Sequence, residues 1–167
     1  RAFSSWNMYK NFKESGSIPS VLNTGYIDGK ENNLFKELYS TTIYPSFDEC
    51  VKSEMLKIET GSNLEEPSFI RRGIYYPQVK VVINLFGKEN TLILGFKDLK
   101  NKKIESLNLI LDFLNLPTSS WDFLNHEIQN KRPYSKIISD TTKSNLKDFY
   151  KPYNEQLFDF LDKKIDW

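Results

Sequence analysis

Apolar residues recur at helical spacing along most of this chain. Arg1–Phe12 is expected to form a helix that ends near Ser15. Ser46 is a favourable N-cap, and Glu49 follows three residues later, where its carboxylate can complete a capping box. This box predicts a helix that runs to about Ile58. The apolar side of that helix consists of Phe47, Val51, Met55 and Ile58.

The middle of the chain predicts a helix, a strand and a helix. Ser68–Phe86 has near-helical apolar spacing, and Pro77 separates a preceding turn from the main helix. Thr91–Phe96 is a short apolar run between polar residues, which is typical of a buried strand. Ile104–Leu116 follows as an amphipathic helix that Pro117 stops. A strand between helices indicates an α/β fold, and because a lone strand has no partner, further strands are expected elsewhere.

The C-terminal part predicts two further helices. Asp140 is expected to cap a helix that runs to about Tyr150, and Pro152 is expected to begin another in its first turn. A short helix is also expected over Asn32–Tyr39. The two C-terminal helices share one apolar face, formed by Leu146, Phe149, Tyr150, Tyr153, Leu157, Phe160 and Leu161.

Length and composition narrow the possible functions. A chain of 167 residues with 39% hydrophobic residues is sufficient for one globular domain, and we treat 1–167 as a single partial domain. The net charge of +1 favours neither nucleic acid nor an anionic membrane as a partner, so any anion site must be local. Because Cys50 and His126 are the only residues of their types, an internal disulfide, a cysteine zinc site and a multi-histidine metal site are excluded. No apolar run approaches the roughly 20 residues of a membrane span.

The first nine residues carry the first of four resemblances to a known family. They read Arg-Ala-Phe-Ser-Ser-Trp-Asn-Met-Tyr. This is similar to the helix start "Arg-Ala-Tyr-Ser-x-Tyr" of the sulfotransferases that depend on 3′-phosphoadenosine 5′-phosphosulfate (PAPS), both bacterial and heparan-sulfate type. The family serine binds the 3′-phosphate of PAPS, and the resemblance implies that role for Ser4. A hydroxyl at a helix N-terminus suits an anion, although Ser4 could equally be an ordinary N-cap or surface serine.

The second resemblance lies at Arg71–Val79, which is similar to the family pattern "Arg-Gly-x-Tyr-x-x-Gln-Leu". It implies that Arg72 and Gly73 belong to the cofactor site. A guanidinium group can bind a phosphate or an anionic acceptor through two parallel hydrogen bonds. The alternative for Arg71 and Arg72 is a solvated or salt-bridged pair. Gly73 is expected to allow a close backbone approach.

The third resemblance covers Glu89–Pro117, which is similar to the family block "Glu-Gln-x-Leu-Val-Leu-x-Tyr-Glu-Asp-Leu" and the "Ile-x-x-Phe-Leu-Gly-Leu" that follows it. Lys97 stands where the family prefers an acid, and Asn115 stands where it prefers glycine. The second departure is mild, because asparagine tolerates the left-handed conformation that ends a helix. The expected role of this block is packing.

The fourth resemblance joins two segments near the C-terminus. Asn130–Tyr134 is similar to the family's basic loop "Asn-x-Arg-x-Tyr", and Leu146–Leu157 is similar to "Leu-x-x-Phe-Tyr-x-Pro-Tyr-Asn-x-x-Leu". The resemblance implies that Lys131 and Arg132 contact the phosphates of the cofactor and that Tyr134 packs beside the nucleotide. The alternative for this loop is a solvated basic turn.

Together these segments imply a fold and a reaction. The fold is the helix-rich C-terminal part of a P-loop-like three-layer α/β domain with a parallel sheet, whose first strands are missing from this sequence. The reaction moves a sulfuryl group from PAPS to a hydroxyl or amine of an acceptor, a carbohydrate or small metabolite, and releases adenosine 3′,5′-bisphosphate without a metal. The catalytic base and the phosphosulfate loop are expected upstream of Ser4. No catalytic residue is therefore assigned, and His126 is interpreted as structural or solvated.

Several alternatives remain open on the sequence alone. The chain could be a non-catalytic helical module that binds a protein partner through its C-terminal aromatic face. The identity of the acceptor and the oligomeric state are not predicted. A bacterial cytoplasmic location is favoured, and the Golgi lumen is the alternative if the enzyme is eukaryotic.

Overall fold

A computed structural model of the chain describes residues 1–16, 26–27, 30–31, 42–61, 68–118, 120–121, 134 and 137–166. This part of the chain is mainly helical. Its α-helices are α1 (Ala2–Glu14), α2 (Phe47–Glu59), α3 (Tyr76–Phe86), α4 (Phe96–Asn101), α5 (Lys103–Phe113) and α6 (Asp140–Leu161). A short 3₁₀ helix spans Arg71–Gly73, between α2 and α3. The helix expected over Asn32–Tyr39 lies outside the described residues.

The start of α2 confirms the predicted capping box. The backbone N–H of Glu49 donates to the Ser46 hydroxyl at 3.3 Å, and the Glu49 carboxylate accepts from the backbone N–H of Ser46 at 2.7 Å. Two of the N–H groups that a helix leaves unpaired at its start are thereby satisfied. The α2 helix ends at Glu59, one residue beyond the predicted end.

The predicted strand at Thr91–Phe96 is wrong. Residues 91–95 have no regular structure, and Phe96 begins α4, a helix that the apolar pattern did not indicate. Ile93 packs in an apolar cluster instead of pairing in a sheet. A short apolar run becomes a strand only where a neighbouring strand satisfies its backbone groups, and none lies beside it among the described residues.

The α/β fold with a parallel sheet is wrong for the same reason. In the described part of the chain, the strands are the two-residue β1 (Tyr26–Ile27) and β2 (Lys30–Glu31). They pair antiparallel, with Tyr26 opposite Glu31 and Ile27 opposite Lys30. The described structure is therefore helix-rich, without the layers of a three-layer α/β domain.

The end of α5 confirms the expectation for Asn115, although the helix ends at Phe113 and not at Leu116. Asn115 adopts a left-handed conformation with φ of 53°. The backbone N–H of Leu116 donates to the carbonyl of Leu111 at 2.9 Å, and that of Asn115 donates to Asp112 at 3.0 Å. This pair of hydrogen bonds is a Schellman motif, which satisfies carbonyls at the helix end.

The helix α6 differs from its prediction at its start and in its middle. Its N-cap is Ser139, whose hydroxyl accepts the N–H of Thr142 at 3.2 Å, so the cap lies one residue before Asp140. The helix then continues through Pro152, where two helices were predicted. A proline inside a helix removes the hydrogen bond to the carbonyl four residues earlier. That carbonyl belongs to Asp148, an exposed residue, so solvent can satisfy it.

The chain divides into two compact units. The first unit comprises residues 1–74 and 133–152, and the second comprises residues 75–132 and 153–167. The division does not test the predicted single partial domain, which stays a prediction. The residues of the buried apolar cluster in the first unit are Trp6, Tyr44, Phe47, Val51, Phe69 and Ile70. Those of the second unit are Leu157, Leu161 and Ile165.

Candidate functional site

The first turn of α1 carries Ser4 on an exposed position beside a packed aromatic residue. Phe3 stacks on Trp6 at a centroid distance of 5.4 Å and meets the edge of Phe47 at 5.1 Å. The indole N–H of Trp6 donates to the carbonyl of Pro45 at 3.0 Å. These contacts tie α1 to the start of α2 and fix the position of Ser4, whose side chain stays accessible to a ligand.

Tyr134, the last residue of the predicted basic loop, packs on the same helix turn. Its ring stacks on Phe3, with a centroid distance of 5.6 Å and an interplanar angle of 15°. Tyr134 remains 55% exposed, so one side of the ring is open to solvent. The structure therefore places Tyr134, a predicted site residue, against Phe3, which precedes the predicted site residue Ser4 in the chain. Lys131 and Arg132 lie outside the described residues.

The segment that carries Arg71, Arg72 and Gly73 is held by Glu54. This carboxylate is 7% exposed. One of its oxygens accepts from the hydroxyl of Ser68 and from two backbone N–H groups, those of Ile70 at 3.0 Å and Arg71 at 2.9 Å. The other oxygen accepts the N–H of Phe69 at 2.8 Å. A buried carboxylate that accepts four hydrogen bonds fixes the backbone of residues 68–71.

The role of Glu54 was missed by the sequence analysis, although the sequence contains a signal for it. Glu54 lies three residues after Val51 and four residues before Ile58, on the apolar side of α2. A carboxylate in such a stripe requires buried hydrogen-bond donors, and the turn at residues 68–71 supplies them. Because its oxygens are occupied by protein donors, Glu54 acts as a structural anchor.

Gly73 is in close contact with Tyr150. A Cβ atom at position 73 would lie 2.7 Å from the Tyr150 hydroxyl oxygen and 2.8 Å from two of its ring carbons. The same hydroxyl donates to the carbonyl of Ile70 at 2.8 Å. The expected close backbone approach at Gly73 is therefore present, and it joins two segments of the family resemblance. Arg72 is exposed and Arg71 is half-buried at this position.

A link between the two parts of the candidate site runs along α1. Tyr9 meets the edge of Phe69 at a centroid distance of 6.0 Å, and Phe69 precedes Ile70 and Arg71. Ser4 and Tyr9 are five residues apart, which is about 7.5 Å along an α-helix. Four predicted site residues belong to the first unit of the structure: Ser4, Arg72, Gly73 and Tyr134.

A cavity of about 420 Å³ lies near the C-terminal end of α1, and it contains none of the predicted site residues. Lys10 pairs with Glu14 there, so its charge is already compensated. Lining residues are Lys10, Lys13, Glu14, Thr42, Ile43 and Tyr44. Among the described residues, no cluster of histidine, cysteine or acidic side chains could hold a metal ion.

Comparison with known proteins gives one informative similarity. The chain is 24% identical over 148 residues to the membrane-associated sulfotransferase kil1 of Dictyostelium discoideum. The chain is similar to a sulfotransferase. The match covers 83% of this chain and 30% of that protein, so the chain spans about a third of the relative's length.

Two other comparisons give no match. No family model matches the chain, and no solved structure matches it. Of the described helices, none is both long and apolar enough to cross a bilayer. The similarity to a sulfotransferase agrees with the family resemblance found in the sequence.

Proposed function

We propose that this chain is the part of a sulfotransferase that binds the adenosine 3′-phosphate of PAPS. In the reaction, a hydroxyl or amine of a carbohydrate or small metabolite forms a bond to the sulfur atom. The bond between sulfur and the 5′-phosphate oxygen breaks, and adenosine 3′,5′-bisphosphate leaves. The acceptor proton passes to a base that we do not assign to any residue of this chain. The distant similarity to a named sulfotransferase supports the reaction class.

The observation that carries the proposal is the stacking of Tyr134 on Phe3. It places Tyr134, the last residue of the segment that resembles the family's basic loop, against the helix turn that resembles the family's 3′-phosphate site. Arg132 is two residues before Tyr134 in the sequence. A serine hydroxyl and a guanidinium fork that converge on one phosphate form charge-assisted hydrogen bonds, which are stronger than neutral ones.

Each proposed residue has a distinct chemical task. The Ser4 hydroxyl donates to an oxygen of the 3′-phosphate, and Arg132 binds two oxygens of the same group. Lys131 adds a point charge, and the open side of the Tyr134 ring packs against the nucleotide. Arg72 supplies a further cation, either to the cofactor or to an anionic acceptor, from a backbone that Glu54 and Gly73 hold in place.

Calorimetric titration with adenosine 3′,5′-bisphosphate and with adenosine 5′-monophosphate tests this assignment. We expect the bisphosphate to bind more tightly, and Ser4→Ala to reduce that preference while leaving the affinity for the monophosphate unchanged. Arg132→Ala should weaken bisphosphate binding by at least about 1.5 kcal/mol, the contribution of one charge-assisted hydrogen bond. Ser144→Ala, which removes an exposed hydroxyl from α6, is the matched control and should bind like the parent.

If the chain were instead an interaction module without a cofactor site, this titration would give the opposite result. Such a protein would bind both nucleotides equally weakly, and none of the three substitutions would change the titration. Equal affinity for the two nucleotides would therefore exclude the 3′-phosphate site, whatever the acceptor.

We also propose that the reaction takes place at a membrane surface. The support is the similarity to a protein that is named as membrane-associated.

A further inference from the structure

The first turn of α2 is hydrogen-bonded to the first turn of α6 through Asp48. The hydroxyl of Thr142 donates to one oxygen of the Asp48 carboxylate at 2.5 Å, and the hydroxyl of Ser139 lies 3.4 Å from the other oxygen. Thr142 is 5% exposed, so its hydroxyl requires a partner within the protein. Asp48 supplies this partner from a position 94 residues earlier in the chain.

The location of Asp48 favours a carboxylate over a neutral side chain. Asp48 belongs to the first turn of α2, and it accepts from the N-cap residue and from a first-turn residue of α6. The positive ends of two helix dipoles therefore act on one negative charge, and both stabilise it. An amide at this position would lack the charge and would carry an NH₂ group that accepts no hydrogen bond. Asp48→Asn should therefore weaken the attachment of α6 to α2.

The same turn of α2 supports the ring of Tyr134. Phe47 meets the edge of Phe3 at a centroid distance of 5.1 Å, and Tyr134 stacks on the same Phe3 ring at 5.6 Å. Tyr134 and Ser139 are five residues apart in the sequence. The chain on the C-terminal side of Tyr134 is therefore attached at two points, once through the ring of Phe3 and once through the carboxylate of Asp48.

We propose that Asp48 is a positioning residue of the nucleotide site. It holds the start of α6 and thereby fixes the orientation in which Tyr134 presents the open side of its ring to the nucleotide. Stacking on Phe3 is a weak constraint when it acts alone, since an aromatic pair contributes about as much as one hydrogen bond. The second attachment restricts the same short segment at its other end. This proposal rests on the 3′-phosphate site proposed above, because the ligand of Tyr134 is the nucleotide of that site.

Calorimetric titration of the full 167-residue chain with adenosine 3′,5′-bisphosphate tests the proposal. Asp48→Asn removes the charge and Thr142→Val removes the hydroxyl, and each should lower the affinity about two- to fivefold, within the loss expected for Tyr134→Ala. Thr142→Ser keeps the hydroxyl and should bind like the parent. The matched controls are Asp148→Asn and Thr141→Val, which change exposed residues of α6 and should also leave the affinity unchanged.

Combining Asp48→Asn with Tyr134→Ala separates positioning from stability. If Asp48 acts through the ring of Tyr134, its substitution should cost no further affinity once that ring is absent. A purely structural Asp48 would lower the free energy of unfolding without changing the affinity of the folded protein, or would lower the affinity by the same factor in both backgrounds. Urea denaturation of each variant identifies the conditions in which it is folded, and the titrations are made there.

Two results would overturn the proposal. One is unchanged affinity in both Asp48→Asn and Thr142→Val, and the other is an equal loss with and without the Tyr134 ring. If Asp48→Asn does not fold, the comparison of Thr142→Val with Thr142→Ser decides. Failure here in a parent chain that still prefers adenosine 3′,5′-bisphosphate to adenosine 5′-monophosphate would leave the 3′-phosphate site standing. A parent chain that does not distinguish the two nucleotides would exclude that site, and this proposal with it.

Discussion

The ring of Tyr150 fills the space that a Cβ atom on Gly73 would occupy. That atom would lie 2.7 Å from the Tyr150 hydroxyl oxygen, closer than any van der Waals contact allows. We expect Gly73→Ala to lower the free energy of unfolding by about 1–3 kcal/mol, because an overpacked site must shift. Chemical denaturation measures this loss.

The Tyr150→Ala background is the control for that substitution. Removing the ring removes the clash, so the additional cost of Gly73→Ala should fall to within about 0.5 kcal/mol of zero. An equal cost in both backgrounds would show that the contact between Gly73 and Tyr150 does not limit the residue at position 73.

Replacing Glu54 with glutamine tests the anchor under residues 68–71. The amide has one acceptor oxygen and an NH₂ donor, which would face the backbone N–H of Phe69. Because buried donors then lose their acceptor, Glu54→Gln should destabilise the protein by about 2–4 kcal/mol. Glu59→Gln, on an exposed position at the end of the same helix, should change stability by less than about 0.5 kcal/mol. Similar losses in the two variants would contradict the anchoring role.

The capping box predicts a specific loss of stability in acid. The pKa of Glu49 lies below its ordinary value, first because the Ser46 hydroxyl donates to the carboxylate and second because the Ser46 backbone N–H does so. A carboxyl whose pKa is lower in the folded state stabilises the protein above its unfolded pKa of about 4.3, and this contribution is lost as pH falls through the folded value. The stability difference between the parent and Glu49→Gln should therefore shrink below about pH 4.

Ser46→Ala tests the same pH dependence by removing the hydroxyl that donates to the Glu49 carboxylate. Without the hydroxyl donor, the same pH-dependent contribution should be reduced, whereas Ser53→Ala, on an exposed position of the same helix, should leave it intact. Parallel stability curves for the parent and Glu49→Gln between pH 3 and 7, measured by urea denaturation, would contradict the prediction.

Asp162 ends α6 in a conformation that favours glycine. Its φ is 51°, and its N–H donates to the carbonyl of Asp159 while that of Lys163 donates to Phe158. We expect Asp162→Gly to raise the melting temperature, with a gain of about 0.5–1 kcal/mol, because the left-handed conformation costs glycine nothing. Asp159→Gly, in the last turn of the helix, should instead cost about 0.3 kcal/mol, the difference between the helix propensities of aspartate and glycine. A loss of stability in Asp162→Gly would contradict the assigned helix end.

Tyr134 should position the basic loop through its ring and not through its hydroxyl. Tyr134→Ala removes the stacking on Phe3, and we expect it to weaken binding of adenosine 3′,5′-bisphosphate about fivefold or more, as lost aromatic contact implies. Tyr134→Phe keeps the ring and should bind nearly as the parent does. If both variants bind equally weakly, the hydroxyl is the group that matters; if neither changes binding, Tyr134 lies outside the site.

Local patterns in the sequence determined most helix positions. The capping box of Ser46 and Glu49 and the left-handed Asn115 follow from interactions within a few residues, which a sequence displays directly. The α4 helix and the unbroken α6 were not predictable in this way. A short apolar run and a proline are locally ambiguous, and distant neighbours decide which structure they adopt.

The same distinction between local and distant interactions applies to the candidate site. The sequence indicated Ser4, Arg72, Gly73, Lys131, Arg132 and Tyr134 by their resemblance to a family, without showing which of them meet. Only the tertiary structure placed Tyr134 on Phe3 and Tyr150 against Gly73, and only it supplied Glu54 as the anchor. Contacts between distant segments depend on how the whole chain packs, whereas caps and helix ends depend on hydrogen bonds within one or two turns.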